Sequence, residues 1–182
     1  MKLKLTNVRL AFPVLFDAKT VNGEGKPAFS ASLLLDPADP QVKAIHAAIE
    51  QVAKDKWGTK AEAVLKQMRA QDKTALHDGD LKANYDGFPG NLYVSARAYT
   101  RPLVIDKDKT PLTEQDGKPY AGCYVNASVE LWAQDNNYGK RVNASLRGIQ
   151  FFKDGDAFAG GGAASDDEFD DIAEGATADD LV

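Results

Sequence analysis

Cys123-Tyr124-Val125-Asn126-Ala127-Ser128-Val129-Glu130-Leu131-Trp132 is the stretch whose reading decides the fold. Cys123, Val125, Ala127, Val129 and Leu131 make one apolar face, and Tyr124, Asn126, Ser128, Glu130 and Trp132 make the other. Strict alternation over ten residues is the signature of a strand with one buried side. Asp135-Asn136-Asn137 with Gly139 supplies hairpin chemistry. The pattern then resumes, with Val142, Ala144 and Leu146 set against Arg141, Asn143, Ser145 and Arg147. Phe151-Phe152 closes the packed region.

Working back towards the N-terminus, Leu92, Val94, Ala96 and Ala98 alternate with Tyr93, Ser95, Arg97 and Tyr99, and Arg101 follows in the same phase. Phe29, Ala31, Leu33 and Leu35 alternate with serines. In the first stretch, Leu3 and Leu5 are out of phase with Val8, Leu10 and Phe12. That slip predicts a bulge, which would bend the strand as small barrels require. Pro13 is expected to end this strand, and Asn22 to Pro27 to form a turn. Between the second and third strands Asp39 reads as a helix cap, with Pro40 as the first helical residue. Val42, Ile45, Ile49 and Val52 form one helical face that stops at Gly58. Thr59 is expected to cap a second helix with a stripe at Ala61, Val64, Leu65 and Met68. The count is a mainly β chain of five strands with inserted helices. It predicts an OB-like, five-stranded Greek-key barrel, with a β-sandwich as the alternative.

The charge is divided unevenly. Of 27 acidic residues, ten fall in 154–182, where there is no Lys or Arg. The 22 basic and 17 remaining acidic residues lie in 1–153, so the body carries +5 and the tail −10. The expected organisation is a domain over 1–153, then a disordered linker and acidic C-terminal tail over 154–182. Gly160-Gly161-Gly162 begins the flexible part. A basic body joined to an acidic tail makes nucleic acid a candidate partner. The one cysteine, Cys123, permits no internal disulfide and suits a reducing cytoplasm. No apolar run is long enough for a membrane helix.

Signals for catalysis are thin. Neither a Walker loop nor a Gly-x-Ser-x-Gly elbow is present, and His46 and His77 lack metal-ligand spacing. Asp78-Gly79-Asp80 fails as a calcium loop because Lys82 stands at the next alternate position. No cofactor and no metal site is therefore expected. A nuclease using Asp78, Asp80 and Asp86 is the enzymatic alternative. The binding signal is stronger. Tyr93, Tyr99, Tyr124 and Trp132 share the polar strand faces with Arg97, Arg101, Arg141 and Arg147. Cations can follow phosphates while flat rings stack on unpaired bases. The competing reading is that a loop or helix covers these rings as a second small core.

Several stations along the chain resemble a known family: Phe12-Pro13 with Leu15-Phe16, Asp78-Gly79-Asp80, Arg101-Pro102-Leu103-Val104-Ile105-Asp106, Tyr120-Ala121-Gly122-Cys123-Tyr124-Val125, and Leu146 with Ile149-Gln150. Their order and spacing resemble phage single-stranded-DNA-binding proteins with an OB fold. The plan is also similar to the T7-type phage single-strand binding proteins. The resemblance implies sequence-tolerant binding of single-stranded DNA in phage replication or recombination, in the host cytoplasm, without catalysis. The tail would compete with DNA and recruit a phage polymerase or another replication protein. Phe169, Ile172, Leu181 and Val182 are its expected anchors. A phage structural or assembly protein with an aromatic protein interface is the alternative function, and a homodimer stays open.

Overall fold

The computed structural model describes residues 1–21 and 23–158. Its β-strands are β1 (Lys2–Val21), β2 (Glu24–Leu35), β3 (Leu76–Asp78), β4 (Leu92–Ala98), β5 (Leu103–Ile105), β6 (Tyr124–Asn136) and β7 (Gly139–Lys153). Two helices, α1 (Gln41–Trp57) and α2 (Ala61–Ala70), lie between β2 and β3. The sheet order is β3-β4-β2-β1-β6-β7-β5. A further parallel pairing of β4 with β7, Ala96 opposite Ala144 and Arg97 opposite Ser145, joins the sheet to itself. Strands β1, β2, β4, β7 and β6 thus make the expected closed five-stranded barrel, with β3 and β5 flanking it.

Alternation places the core. Leu5, Val8, Leu10, Leu33, Val94, Ala96, Val125, Val129, Leu131 and Ile149 are all buried in one cluster. Helix α1 presents Ile45, Ile49 and Val52 to that cluster, and α2 adds Leu65 and Met68. Truncating a fully buried Ile45 or Ile49 to Ala would cost about 2–5 kcal/mol. The Cys123 thiol lies inside this core, where burial pushes its pKa up to about 11.

The slip between Leu5 and Val8 is a bulge, as the alternation predicts. Asn7 adopts φ 51° there. Amides displaced from a ladder need other acceptors. Thr6 N–H donates to Gln41 Oε1 at 2.7 Å and Asn7 N–H to Asn126 Oδ1 at 3.0 Å. The first of these bonds ties the start of α1 to the barrel. At the helix start Pro40 already has helical dihedrals, and Asp39 Oδ1 accepts from Gln41 N–H. At the other end Gly58, with φ 56°, stops α1.

Two local expectations are corrected. Pro13 does not end β1, which continues to Val21. A second bulge lies between Ala11 and Val14, and Pro13 falls inside it, where no ladder N–H is required. Nor does Thr59 cap α2. It lies in a single 3-10 turn, Gly58–Lys60, and the next helix starts from Lys60 in a helical conformation without a side-chain cap. The chain has no extended residue there from which a side chain could reach back to cap.

Candidate nucleic-acid interface

Strands β4 and β7 pair at only two registers and then diverge. Beside that seam lies an open groove of about 890 Å³. Ser95, Arg97 and the segment Tyr99 to Arg101 form one wall; Trp132, Gln134, Arg141, Asn143, Ser145 and Arg147 form the other, with Glu130. Six of the eight residues expected at the DNA site meet here: Arg97, Tyr99, Arg101, Trp132, Arg141 and Arg147. They come from segments up to 50 positions apart, brought together by barrel closure.

The β6–β7 hairpin builds the second wall. Trp132 pairs with Asn143 and Gln134 with Arg141, and Asn137-Tyr138 makes the two-residue tip. Trp132 is 44% exposed and Tyr99 56%. Cations flank the Tyr99 ring, with Lys26 Nζ 4.6 Å and the Arg97 guanidinium 5.6 Å from its centroid. Arg101 is partly committed, donating to Phe16 O at 2.6 Å. Arg147 is the extra residue of a bulge opposite Ser128 and Val129. It donates to Glu130 Oε2 at 2.9 Å. Both partners of this pair are substantially exposed, so it contributes about 0–1 kcal/mol. A phosphate could replace Glu130 at little cost.

Four arginines and one lining carboxylate therefore surround two exposed rings. The groove suits a flexible polyanion carrying flat apolar groups. Glutamine, asparagine and serine side chains on its walls add hydrogen-bonding capacity without a fixed pattern.

Tyr93 is a correction. It is 4% exposed, in a small core with Ala11, Leu34 and Phe88. Its ring lies 5.0 Å from Phe88, edge to face, and stacks at 5.0 Å on His77. Burial first, and then the Asp72 charge, raise its hydroxyl pKa. Tyr93 has the alternation of an outward residue, yet the segment carrying Phe88 covers it. For this ring the second-core alternative is the observed one. Tyr124 also lies outside the groove. It stands at the far end of β6, half-buried, with the Arg9 guanidinium 5.7 Å and Lys153 Nζ 4.7 Å from its ring.

Reading the sequence missed Lys26, over the Tyr99 ring, and Gln134, on the groove wall. Tyr138, 84% exposed, stands at the hairpin tip. Gln134 and Asn143 share the outward phase of Trp132 and Arg141 across the hairpin, so pairing register would have found them. Nothing in the local sequence of Lys26 signals its place over Tyr99.

The acidic residues of the nuclease alternative have structural partners. Asp78 Oδ1 accepts from Asp80 N–H, and Asp80 Oδ1 from Gly90 N–H, both at 2.9 Å. Among the described residues no group of three or more His, Cys, Asp or Glu could hold a metal ion. Nor is any helix among them long and apolar enough to cross a membrane. His46 faces Arg69, and His77 Nδ1 lies 2.7 Å from Asp72 Oδ1. Phe169, Ile172, Leu181, Val182 and the glycine run lie outside the described residues.

A closed five-stranded barrel with a cationic, aromatic groove across its strands is an OB-type binding module. The chain belongs to the family described as Enterobacter phage Enc34, ssDNA-binding protein, whose model matches residues 1–182. It is 52% identical over 175 residues to putative protein p50 of Acyrthosiphon pisum secondary endosymbiont phage 1, covering 94% of each chain. Among solved structures it is similar to the single-stranded DNA-binding protein from bacteriophage Enc34 in complex with ssDNA. The identity is 30%, the TM-score 0.73, and the match covers 86% of this chain and 88% of the other. Gp2.5, a single-stranded DNA binding protein encoded by bacteriophage T7, shares the fold at 14% identity and TM-score 0.51, with 84% and 91% covered.

Proposed function

We propose that this protein binds single-stranded DNA along the β4–β7 groove with little sequence selectivity, and so coats and protects it during phage DNA replication and recombination in the host cytoplasm. The convergence of Arg97, Tyr99, Arg101, Trp132, Arg141 and Arg147 on one groove carries the reading. Its family membership supports it. The arginines neutralise phosphates, and Trp132 and Tyr99 stack on unpaired bases. No step of bond making or breaking is involved. Duplex DNA offers no free base faces, so it should bind more weakly.

Titration with oligo(dT), followed by tryptophan fluorescence, tests the reading. Stacking on Trp132 quenches emission, whereas Trp57 reports little, being held by Asp135 through its indole N–H at 3.1 Å. With about four phosphates neutralised, log affinity should fall with log salt at a slope near −3. Equal or tighter binding to duplex at moderate salt would refute single-strand selectivity.

The body, 1–153, is the binding domain in this proposal, and 154–182 the regulatory tail. The tail's −10 opposes the body's +5. A short flexible tether raises the effective concentration of such a polyanion to about the millimolar range. The tail then competes with DNA, and once displaced it offers Phe169, Ile172, Leu181 and Val182 to a polymerase or another replication protein. Truncation after Ala164 should raise affinity for single-stranded DNA, most clearly at low salt where screening is weakest. Unchanged affinity at low salt would rule out the competition.

A further inference from the structure

Arg9, Tyr124 and Lys153 lie opposite one another on three adjacent strands, Arg9 with Tyr124 and Tyr124 with Lys153. They form a cation–aromatic–cation row on the outside of the barrel. The chemistry matches that of the groove, yet the groove does not include them. A short strap, Asp154-Gly155-Asp156-Ala157-Phe158, lies over the row.

The strap's contacts are specific. Tyr120 Oη donates to Asp154 Oδ1 at 2.6 Å. One Arg9 nitrogen donates to Asp156 O at 2.8 Å, and Phe158 N–H donates to Ala121 O at 3.1 Å. The Phe158 ring lies 4.2 Å from the Arg9 guanidinium, against Leu34 and Gly87. Gly122 admits the strap because a Cβ there would collide with the backbone of Asp156 and Ala157. The strap nevertheless covers the surface only thinly, since Asp154, Asp156 and Ala157 are exposed. Few buried contacts and open hydrogen bonds mark a segment that detaches at low cost.

What the strap brings to the row is also informative. The Phe158 ring lies on the Arg9 guanidinium, the Asp156 backbone carbonyl accepts from Arg9, and Gly155 packs against the Tyr124 ring. A nucleotide would bring a flat face that stacks on Arg or Tyr and an acceptor oxygen for Arg9, and its phosphate would add the negative charge that two neighbouring cations favour. Between Trp132 in the groove and Tyr124 in the row, the outward residues of β6 are Glu130, Ser128 and Asn126, all half-buried and polar. Eight residues of strand span roughly 26 Å.

We propose that Arg9, Tyr124 and Lys153 form a second contact site for single-stranded DNA, reached by a strand that leaves the groove at Trp132 and follows the outward face of β6, and that the Asp154–Phe158 strap covers this site until DNA displaces it. The proposal rests on groove binding as described above, and it adds a separate contact for longer strands.

Two lengths of oligo(dT) separate the sites: about 4 and about 15 nucleotides, near the limits for one OB fold. In the full chain, Phe158→Ala loosens the strap. It should tighten binding of the longer strand by about threefold to tenfold, a modest fraction of one stacking interaction. The short strand should be unaffected. Lys153→Ala alters an exposed side chain and should leave the fold intact. It should weaken the longer strand only, reducing its salt slope by about 0.7. Ultraviolet crosslinking of the longer strand should label Tyr124. Equal effects of Lys153→Ala on both lengths, or no effect on either, would overturn the second site. So would unchanged long-strand affinity in a folded Phe158→Ala protein, or absence of label on Tyr124. If neither length binds the unmodified protein, the groove reading itself fails. If the short strand binds normally while the predicted length dependence is missing, only the second site does.

Discussion

Tyr93 and Tyr99 share the outward phase of one strand and its extension, six residues apart, and end in opposite environments. Tyr93 is 4% exposed beneath Phe88, whereas Tyr99 is 56% exposed beside Arg97 and Lys26. The two ends of β6 repeat the contrast: Tyr124 lies half-buried near the strap and Trp132 stands open in the groove. Alternation assigns a residue to the inside or the outside of a barrel. It does not say whether something else covers the outside. Here the chain from Gly79 to Gly90 and the strap cover one end of the outer surface, and the other end stays open as the groove. Outward aromatics consequently divide between a small second core and an open groove.

Substitutions at the two ends should behave oppositely. The largest effect is expected for Tyr93→Ala, which empties a ring-sized site in the small core. It should lose about 3 kcal/mol of stability, at the low end for aromatic truncation. That corresponds to a drop of roughly 6–12 °C in Tm, while the affinity of the folded protein for oligo(dT) stays unchanged. A normal melting curve with weakened DNA binding would return Tyr93 to the interface. Trp132→Ala should do the reverse, weakening binding by about 1–3 kcal/mol while thermal melting shifts little. A sharply lowered Tm with intact affinity would place Trp132 with Tyr93 as a packing residue.

A smaller effect is expected at Arg147. Arg147→Ala should flatten the dependence of log affinity on log salt by about 0.7, the share of one phosphate contact. The slope measured across several salt concentrations checks this, and an unchanged slope would leave Arg147 as Glu130's partner only. Smallest of all, Glu130→Gln removes the one carboxylate that lines the groove among the described residues, and with it the competition for Arg147. Affinity should rise by about 0.5 kcal/mol, most visibly in low-salt titrations. Weaker binding would mean that Glu130 is needed to position Arg147.

The barrel was legible because burial on one side imposes period two on every strand. The five alternating runs are the five strands that close, and the slip between Leu5 and Val8 is a real bulge. Helix α1 was legible from its stripe and from Gly58. Pro13 misled because a proline usually marks a strand's end, whereas here a bulge removes the need for its missing N–H. Thr59 misled because a capping side chain works only from an extended residue, whereas Thr59 lies in a 3-10 turn that enters α2 through a helical Lys60. At the site, the arginines and the aromatics Tyr99 and Trp132 were legible from alternation. Lys26 was not, since it reaches Tyr99 across the β2–β4 pairing, whose register no single stretch of sequence reveals.

By itself, the sequence determined the inward face of the barrel strands save at Phe12, which the bulge after Ala11 turns outward, the separation of basic body from acidic tail, and the residue types able to hold phosphates and bases. These follow from local periodicity and composition, which need no knowledge of neighbours. Only the tertiary structure decided that Arg97 and Arg147 share a groove, that Tyr93 is covered, and that Tyr124 lies apart beneath a strap. The groove arises where β4 (Leu92–Ala98) and β7 (Gly139–Lys153), paired at residues 48 positions apart, close the barrel through two paired positions. Long-range closure and the path of covering segments depend on how the whole chain packs, and no window of the sequence contains that information.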